Sequence, residues 1–298
     1  MRGDEMSEIK GFLNVYKPLG MSSGSVVARI KRLLPPKTAI GHGGTLDPEA
    51  EGVLPICIGK ATRLFDYIVD KQKTYVAELT LGIVTDTQDA TGTVLEENPV
   101  HVGEDEIRGV LGKLTGDILQ RPPVYSALKR NGKPLYTYAR KGQEIEIEER
   151  PVRVDALTYI GKNGENRHRI QVDCGKGVYV RTLMHDIGAL VGCGGHMSAL
   201  ARTRSGVFTA EEAIPLPELT SVEEHLKPLD YPIGHIPLVR VSTDEIARVR
   251  NGNPLWPQLL LEAPQKHTGI VRVYIGEEFA GMGAFTEDGC VRFKAMLL

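Results

Sequence analysis

The 298-residue sequence has no apolar run near the roughly 18 residues needed to cross a bilayer, and Met1 to Lys10 lacks the apolar core of a secretory signal. A cytoplasmic protein without a membrane partner is therefore expected. Cysteines are few, and Cys57, Cys174, Cys193 and Cys290 are spread without a Cys-x-x-Cys pair, which argues against a disulfide framework. Metal-ligand spacing is equally sparse. Cys174, Cys193, His185 and His196 are the one grouping that points toward zinc, and a single short-range pair without a second does not make a tetrahedral site. The strongly basic balance usual in nucleic-acid binders is absent as well, since the net charge is −2. What remains is ordinary for a globular chain, 41% hydrophobic and 25% charged, with length enough for one large domain and a small one.

Charge is unevenly distributed. Between Asp117 and Glu144 there is no acid, while Arg121, Lys129, Arg130, Lys133, Arg140 and Lys141 occur there with Tyr125, Tyr136 and Tyr138 interleaved. A charge run is most often a solvated face, but bases mixed with aromatics also suit phosphate contact and base stacking, so a local RNA footprint is expected here.

The chain is organised around one stretch, Gly41-His42-Gly43-Gly44-Thr45-Leu46-Asp47-Pro48-Glu49-Ala50-Glu51-Gly52. Three glycines in its first four positions allow positive φ and close approach to a ligand, and Pro48 restrains Asp47 to an extended conformation. In isolation an Asp-Pro pair caps a turn. Here the apolar strand 53–58 follows at once, and Gly59-Lys60-Ala61-Thr62-Arg63 opens a helical run through Ile68, so the loop is braced on a buried element.

Other elements follow from local rules. Residues 11–17 read as a strand ending at Pro18, and Ser22-Ser23 caps a helix with Val26, Val27, Ile30, Leu33 and Leu34 on one face, stopped by Pro35-Pro36. Residues 76–81 alternate as a strand, residues 82–92 form a polar loop, and residues 104–114 form an amphipathic helix. Strands are expected at 144–147, 151–160 and 167–174, the last leading through Gly175 and Gly177 into a helix that begins near Tyr179 and Arg181. Prolines 215, 217, 228, 232 and 237 mark a connector, and strands near 239–241, 269–275, 278–284 and 290–297 make a small β-rich module.

The string Gly-Gly-Thr-Leu-Asp-Pro resembles the catalytic motif of the TruB-type pseudouridine synthases. Four further strings resemble that family's motifs in the family's order: Lys17-Pro18-x-Gly20 with Ser22-Ser23, Lys73-x-Tyr75, Gln120-x-Pro122-Pro123-x-Tyr125-Ser126-Ala127-x-Lys129, and Gly177-x-Tyr179-x-Arg181-Thr182-Leu183. The resemblance runs from about residue 12 to residue 208. It implies an α+β pseudouridine-synthase fold with a mixed, largely antiparallel sheet flanked by helices over residues 11–235. A PUA-like RNA-binding domain over 236–298 and a flexible segment 1–10 complete the expected chain.

The same resemblance implies isomerisation of the T-loop uridine of tRNA, position 55, to pseudouridine. Asp47 is then the catalytic carboxylate, paired with Arg181, and Tyr75 lies in the active site, its ring beneath the extruded base and its phenol accepting or relaying a proton. His42, Gly43, Gly44, Thr45, Tyr179, Leu200, Tyr125 and Lys129 would contact the RNA, and Asp89, a second acid near the site, would orient Arg181 or organise its own loop. We expect Arg181 to hold Asp47 by two parallel hydrogen bonds in a site closed to water. The partner is the T-arm stem-loop of tRNA, met by a monomer that needs no protein partner, cofactor or metal. Glu49-Ala50-Glu51 is more acidic than expected beside an RNA cleft. Three other readings stay open: a non-catalytic RNA-binding or tRNA-folding protein, a guide-RNA-directed synthase, and a metal-dependent hydrolase using His42 and Asp47.

Overall fold

The computed structural model describes residues 8–69, 72–126, 128–130, 132–139, 143, 147–266 and 268–298. Most of the expected flexible segment 1–10 and the expected strand at 144–147, save Ile147, lie outside these residues. The elements expected at 11–17, 53–58, 76–81, 151–160 and 167–174 are all strands, Gly11–Lys17, Ala50–Ile58, Lys73–Leu81, Arg150–Lys162 and Arg167–Cys174.

These strands belong to one ten-stranded sheet. Its path is Ile214–Pro215, Gly11–Lys17, Ala50–Ile58, Gly195–Ser205, Lys73–Leu81, Arg167–Cys174, Arg150–Lys162 and Gly116–Gln120, with Ile40–His42 and Phe208–Thr209 pairing off this path. Two pairings are parallel, Gly11–Lys17 with Ile214–Pro215 and Gly195–Ser205 with Ala50–Ile58; the rest are antiparallel. The expected α+β class with a mixed, largely antiparallel sheet is therefore found.

The two halves of the sheet are buried differently, and their sequences show it. Ala50–Ile58 is covered on both faces: Leu54, Ile56 and Ile58 pack with Val26 and Ile30 of the helix Ser23–Lys31, while Val53 and Cys57 pack with Phe12, Leu64 and Phe208. A strand buried on both faces reads as a continuous apolar run. Lys73–Leu81 and Arg167–Cys174 instead alternate, burying Leu79, Leu81, Ile170 and Val172 under Leu183, Met184 and Ile187 of the helix Val180–Leu190 and Ile107 of the helix Glu104–Leu111. Their other face is left partly open.

One helix is shorter than its pattern implied. Ser22 caps Ser23–Lys31 by accepting from the Ser25 N–H, but the helix stops before Leu33, which is exposed; only Val26, Ile30 and Leu34 are buried. The chain must turn there to reach Pro35-Pro36, and Pro35 cannot accept a helical predecessor easily.

The C-terminal strands form a separate five-stranded sheet ordered Leu260–Glu262, Leu238–Val241, Ile270–Ile275, Glu278–Phe285 and Val291–Met296, with its own core of Val239, Val241, Val249, Leu255, Val271 and Val273. Met282 and Leu297 reach out of it into the Phe12–Phe208 cluster, so the module is seated on the larger sheet by apolar contact. Among the described residues, no helix is long and apolar enough to cross a membrane.

Candidate active site

The strands Ile40–His42 and Ala50–Ile58 pair antiparallel, and residues 43–49 form the loop between them. Of the three glycines at 41, 43 and 44, Gly44 alone takes up the positive φ that they allow, at 114°. Gly43 packs closely, since a Cβ there would sit 2.8 Å from Ile68 Cδ1 and push that side chain aside. Asp47 lies at the tip, where its carbonyl accepts from Ala50 N–H at 3.1 Å and closes a turn. The first motif braces the loop from below. Ser23 Oγ both accepts from Leu46 N–H (2.8 Å) and donates to Leu46 O (3.0 Å), and Gly20 N–H donates to Pro48 O (2.8 Å). Fully buried Lys17 donates to Met21 O (2.5 Å), Pro18 O (3.0 Å) and Pro48 O (3.4 Å).

Arg181 enters from the first turn of its helix, more than 130 residues away in sequence and buried to 9% exposure. Its Nη2 lies 3.0 Å from Asp47 Oδ2, and its Nη1 lies 3.0 Å from Asp89 Oδ2. The same two nitrogens donate to Tyr125 O (3.0 Å) and Thr87 O (3.3 Å). The expected pair of parallel bonds to Asp47 is therefore not what forms; one guanidinium is shared between two carboxylates and two carbonyls. Nor is the site closed, because the Asp47 side chain is 47% exposed at the mouth of the cleft.

Asp89 is the buried half of this arrangement. Desolvation alone would raise its pKa, but hydrogen bonds from Thr91 and Thr87 and the charge of Arg181 outweigh it and hold the carboxyl below its ordinary value. A depressed folded-state pKa stabilises the fold above the unfolded value of about 3.9, and that contribution disappears as pH falls through the folded value. Asp89→Asn is accordingly expected to lower stability by about 1–3 kcal/mol at pH 7, the deficit shrinking as urea melts are repeated at pH values falling below the ordinary carboxylate range. A deficit independent of pH would show that the charge is not what matters. Asp86, by contrast, serves the turn, accepting from Thr93 N–H at 2.8 Å.

Between the loop and the Arg181 helix lies a cleft of about 420 Å³ lined by Gly44, Thr45, Asp47, Tyr75, Tyr179, Arg181, Leu200 and Arg202 among others. A larger cavity, about 920 Å³, borders the same helix through Thr182, His185 and Asp186, but Asp47 and Tyr75 do not line it, so size alone would misplace the site. Tyr75 is buried, and burial raises the pKa of its phenol against the opposing charge of Arg202. Burial thus works against the phenolate, so the phenol offers its ring and an O–H that can donate or relay a proton more readily than abstract one. Tyr179 is the residue capping the Arg181 helix, held on both sides by buried Gln120, which accepts from its N–H (2.7 Å) and donates to its carbonyl (3.0 Å).

Other expected residues stand outside the lining. Gly43, buried at the start of the loop, packs toward Ile68 and Pro55, Asp89 lies behind Arg181, and Tyr125 contributes its carbonyl. Half-buried His42 ends its strand, and burial followed by the Arg202 charge lowers its pKa, leaving the ring neutral at pH 7. Lys129 lies in the strand Lys129–Arg130, and its side chain is outside what the structure describes. Among the described residues, no three His, Cys, Asp or Glu side chains gather closely enough to share a metal ion.

Two residues of the site were not singled out from sequence, Gln120 and Arg202. The strand that carries Arg202, Gly195–Ser205, was itself not read as a strand, because His-Met-Ser-Ala-Leu-Ala-Arg-Thr-Arg lacks an apolar alternation. The available signal was the spacing Leu200-x-Arg202, which puts both on one face of any extended segment.

Residues 31–180 match the model of the TruB family pseudouridylate synthase N-terminal domain, residues 181–233 that of a tRNA pseudouridylate synthase B C-terminal domain, and residues 237–297 that of the C-terminal region of pseudouridine synthase II TruB. The chain is 42% identical over 294 residues to tRNA pseudouridine synthase B of Aromatoleum aromaticum, spanning 97% of this chain and 93% of that protein. It is 41% identical over 293 residues to tRNA pseudouridine synthase B of Bacillus subtilis, spanning 94% and 91%. A solved H/ACA ribonucleoprotein bound to a substrate RNA containing 2′-deoxyuridine includes a chain with a TM-score of 0.72 and 27% identity, spanning 97% of this chain and 85% of that one.

Proposed function

The chain belongs to the TruB family of pseudouridylate synthases and is a tRNA pseudouridine synthase, and we propose that it acts on the T-loop uridine at tRNA position 55 with Asp47 as the carboxylate that engages the flipped nucleotide. The observation that carries the assignment of Asp47 is its ion pair with Arg181 at 3.0 Å, half exposed at the mouth of a cleft walled by Tyr75, Tyr179 and Leu200. A carboxylate so held has its direction set by a buried cation yet remains within reach of a ligand.

A stacked uridine hides its glycosidic bond, so the base must first be extruded at a cost of a few kcal/mol, which phosphate contacts and a fitted pocket return. In the cleft the N1–C1′ bond breaks, the base rotates, a C5–C1′ bond forms, the C5 proton passes to water and N1 takes up a proton in its place. Substrate and product are isomers, so the balance requires no oxidant, phosphate donor or electron sink. Tyr75 and Leu200 offer the base apolar surface, and Arg181 keeps Asp47 aimed while Asp89 holds Arg181 from the far side.

Residues 11–235 would be the catalytic domain and 236–298 a PUA-like RNA-binding domain, the enzyme working in the cytoplasm as a monomer on the T-arm. Relatives named for action on tRNA match at 41–42% identity over nearly their whole length, whereas the H/ACA neighbour matches at 27%, which favours a stand-alone enzyme over a guide-directed one. The test is tritium release to water from unmodified tRNA labelled at uridine C5, without added cofactor or guide RNA. Turnover confined to the T-loop position is expected; no release above background from folded enzyme would reject the assignment.

A further inference from the structure

We propose that Arg202 is a positioning residue for this reaction, its buried guanidinium clamping the backbone of the Gly44-Thr45 turn and so holding Asp47 in place. The proposal deepens the reading of Asp47 as the acting carboxylate and rests on it. Arg202 is only 1% exposed and heads the largest fully buried side chains of the protein. It stands in the strand Gly195–Ser205 at the register positions opposite Tyr75 on one side and Gly52 on the other, two residues beyond Leu200. Its Nε donates to Val53 O at 2.8 Å, Nη2 donates to Gly44 O at 3.1 Å, and Nη1 makes a longer bond of 3.5 Å to Thr45 O. The clamp therefore grips both the loop and the strand that follows it.

What makes this a positioning device is how the charge is compensated. Among the described residues no carboxylate lies within ion-pair distance of Arg202; backbone carbonyls take the place of water around it. A buried cation solvated by three carbonyls and the Tyr75 hydroxyl, with no counter-charge beside it, is stable only while those carbonyls stay put, so displacing the turn would leave the charge poorly solvated. The sheet is built to allow the approach. Gly52 has φ of 110°, and a Cβ there would meet Arg202 O at 2.2 Å, so the two strands come closer than side chains permit. Arg181 then acts on the Asp47 carboxylate, and Arg202 acts on the main chain that carries it. Lysine cannot replace this geometry, because one ammonium presents its donors from a single point while the guanidinium fork reaches three carbonyls in one plane.

The test compares full-length Arg202→Lys and Arg202→Ala with the parent. Single-turnover tritium release with enzyme saturating and in excess over tRNA gives the rate, filter binding in an Asp47→Asn background gives the tRNA affinity, and circular dichroism reports folding. The expected result is a folded Arg202→Lys whose rate is down at least about 30-fold while tRNA affinity stays within about threefold. Guanidinium chloride at about 10 mM should recover part of the Arg202→Ala rate and leave the parent unchanged, since it refills the vacated donor site. A Lys variant within about threefold of the parental rate, or a loss appearing wholly in affinity, would overturn the proposal. So would global unfolding of the Lys variant, because a residue on which the whole fold depends is not a positioning residue. If Asp47→Asn alone still turned over, the reading of Asp47 would fail instead; an inactive Asp47→Asn beside a fully active Arg202→Lys would sink only the role of Arg202.

Discussion

Asp47→Asn leaves tRNA binding within about threefold of the parent and lowers tritium release by at least about four orders of magnitude, more than 5 kcal/mol of transition-state stabilisation. The amide matches the carboxylate in size and keeps one oxygen to accept from Arg181 Nη2, so the loop has no steric reason to move. Its brace does not pass through the side chain either: the bonds from Ser23 to Leu46 and from Lys17 and Gly20 to Pro48 all involve the main chain. What is lost is the negative charge on which the proposed role at the flipped nucleotide rests. A variant with parental turnover would remove the basis for the assignment. The opposite dissection matters as much. A protein whose only task is to bind or fold tRNA would show no turnover in either form, and parent and variant would then be indistinguishable in every assay.

Arg181→Lys is expected to reduce single-turnover release by about 10²- to 10³-fold, and Arg181→Met to go further while also costing about 3–5 kcal/mol of stability. The larger penalty follows from the two carboxylates that share this cation. With Arg181 gone, buried Asp89 loses its counter-charge, though Thr87 and Thr91 still donate to it, and Asp47 is freed to rotate toward solvent. Lysine restores a charge but as a single point, unable to reach Asp47, Asp89, Thr87 O and Tyr125 O together. Because Tyr125 O is one of those partners, affinity for tRNA should fall as well, by an amount smaller than the loss in rate. Turnover within tenfold of the parent for Arg181→Met would mean that Asp47 is aimed by something else. Together the two variants separate a missing reacting group from a misdirected one, since only the second is expected to retain a measurable residual rate.

The structural route between these groups also accounts for the acidic Glu49-Ala50-Glu51 segment beside the cleft. Glu51 raises the pKa of partly buried Tyr16, after the effect of burial itself, and the charges of Glu49 and Glu51, with that of Asp47, support the cationic form of Lys17 against its own desolvation. These acids therefore have a task within the protein, helping a buried lysine stay charged while it holds the loop carbonyl of Pro48.

Where residues bury one face or sit in a strong local motif, the sequence alone was sufficient. Alternation in Lys73–Leu81 and Arg167–Cys174, the Ser22 cap, and the glycine loop ahead of Ala50–Ile58 are dictated by forces acting within a few residues, so their outcome is written locally. The identity of Asp47 and Arg181 as partners came from the resemblance of their motifs. Only the tertiary structure decided how they meet: one guanidinium divided between Asp47 and Asp89, a half-open carboxylate, a buried phenol beside Arg202, and a central strand of polar and small residues held in place by pairing on both sides. Arg202 belongs to this second group. Its neighbours Gly44, Thr45 and Val53 lie about 150 residues away along the chain, and the desolvation that makes its contacts matter exists only once the sheet has closed around it.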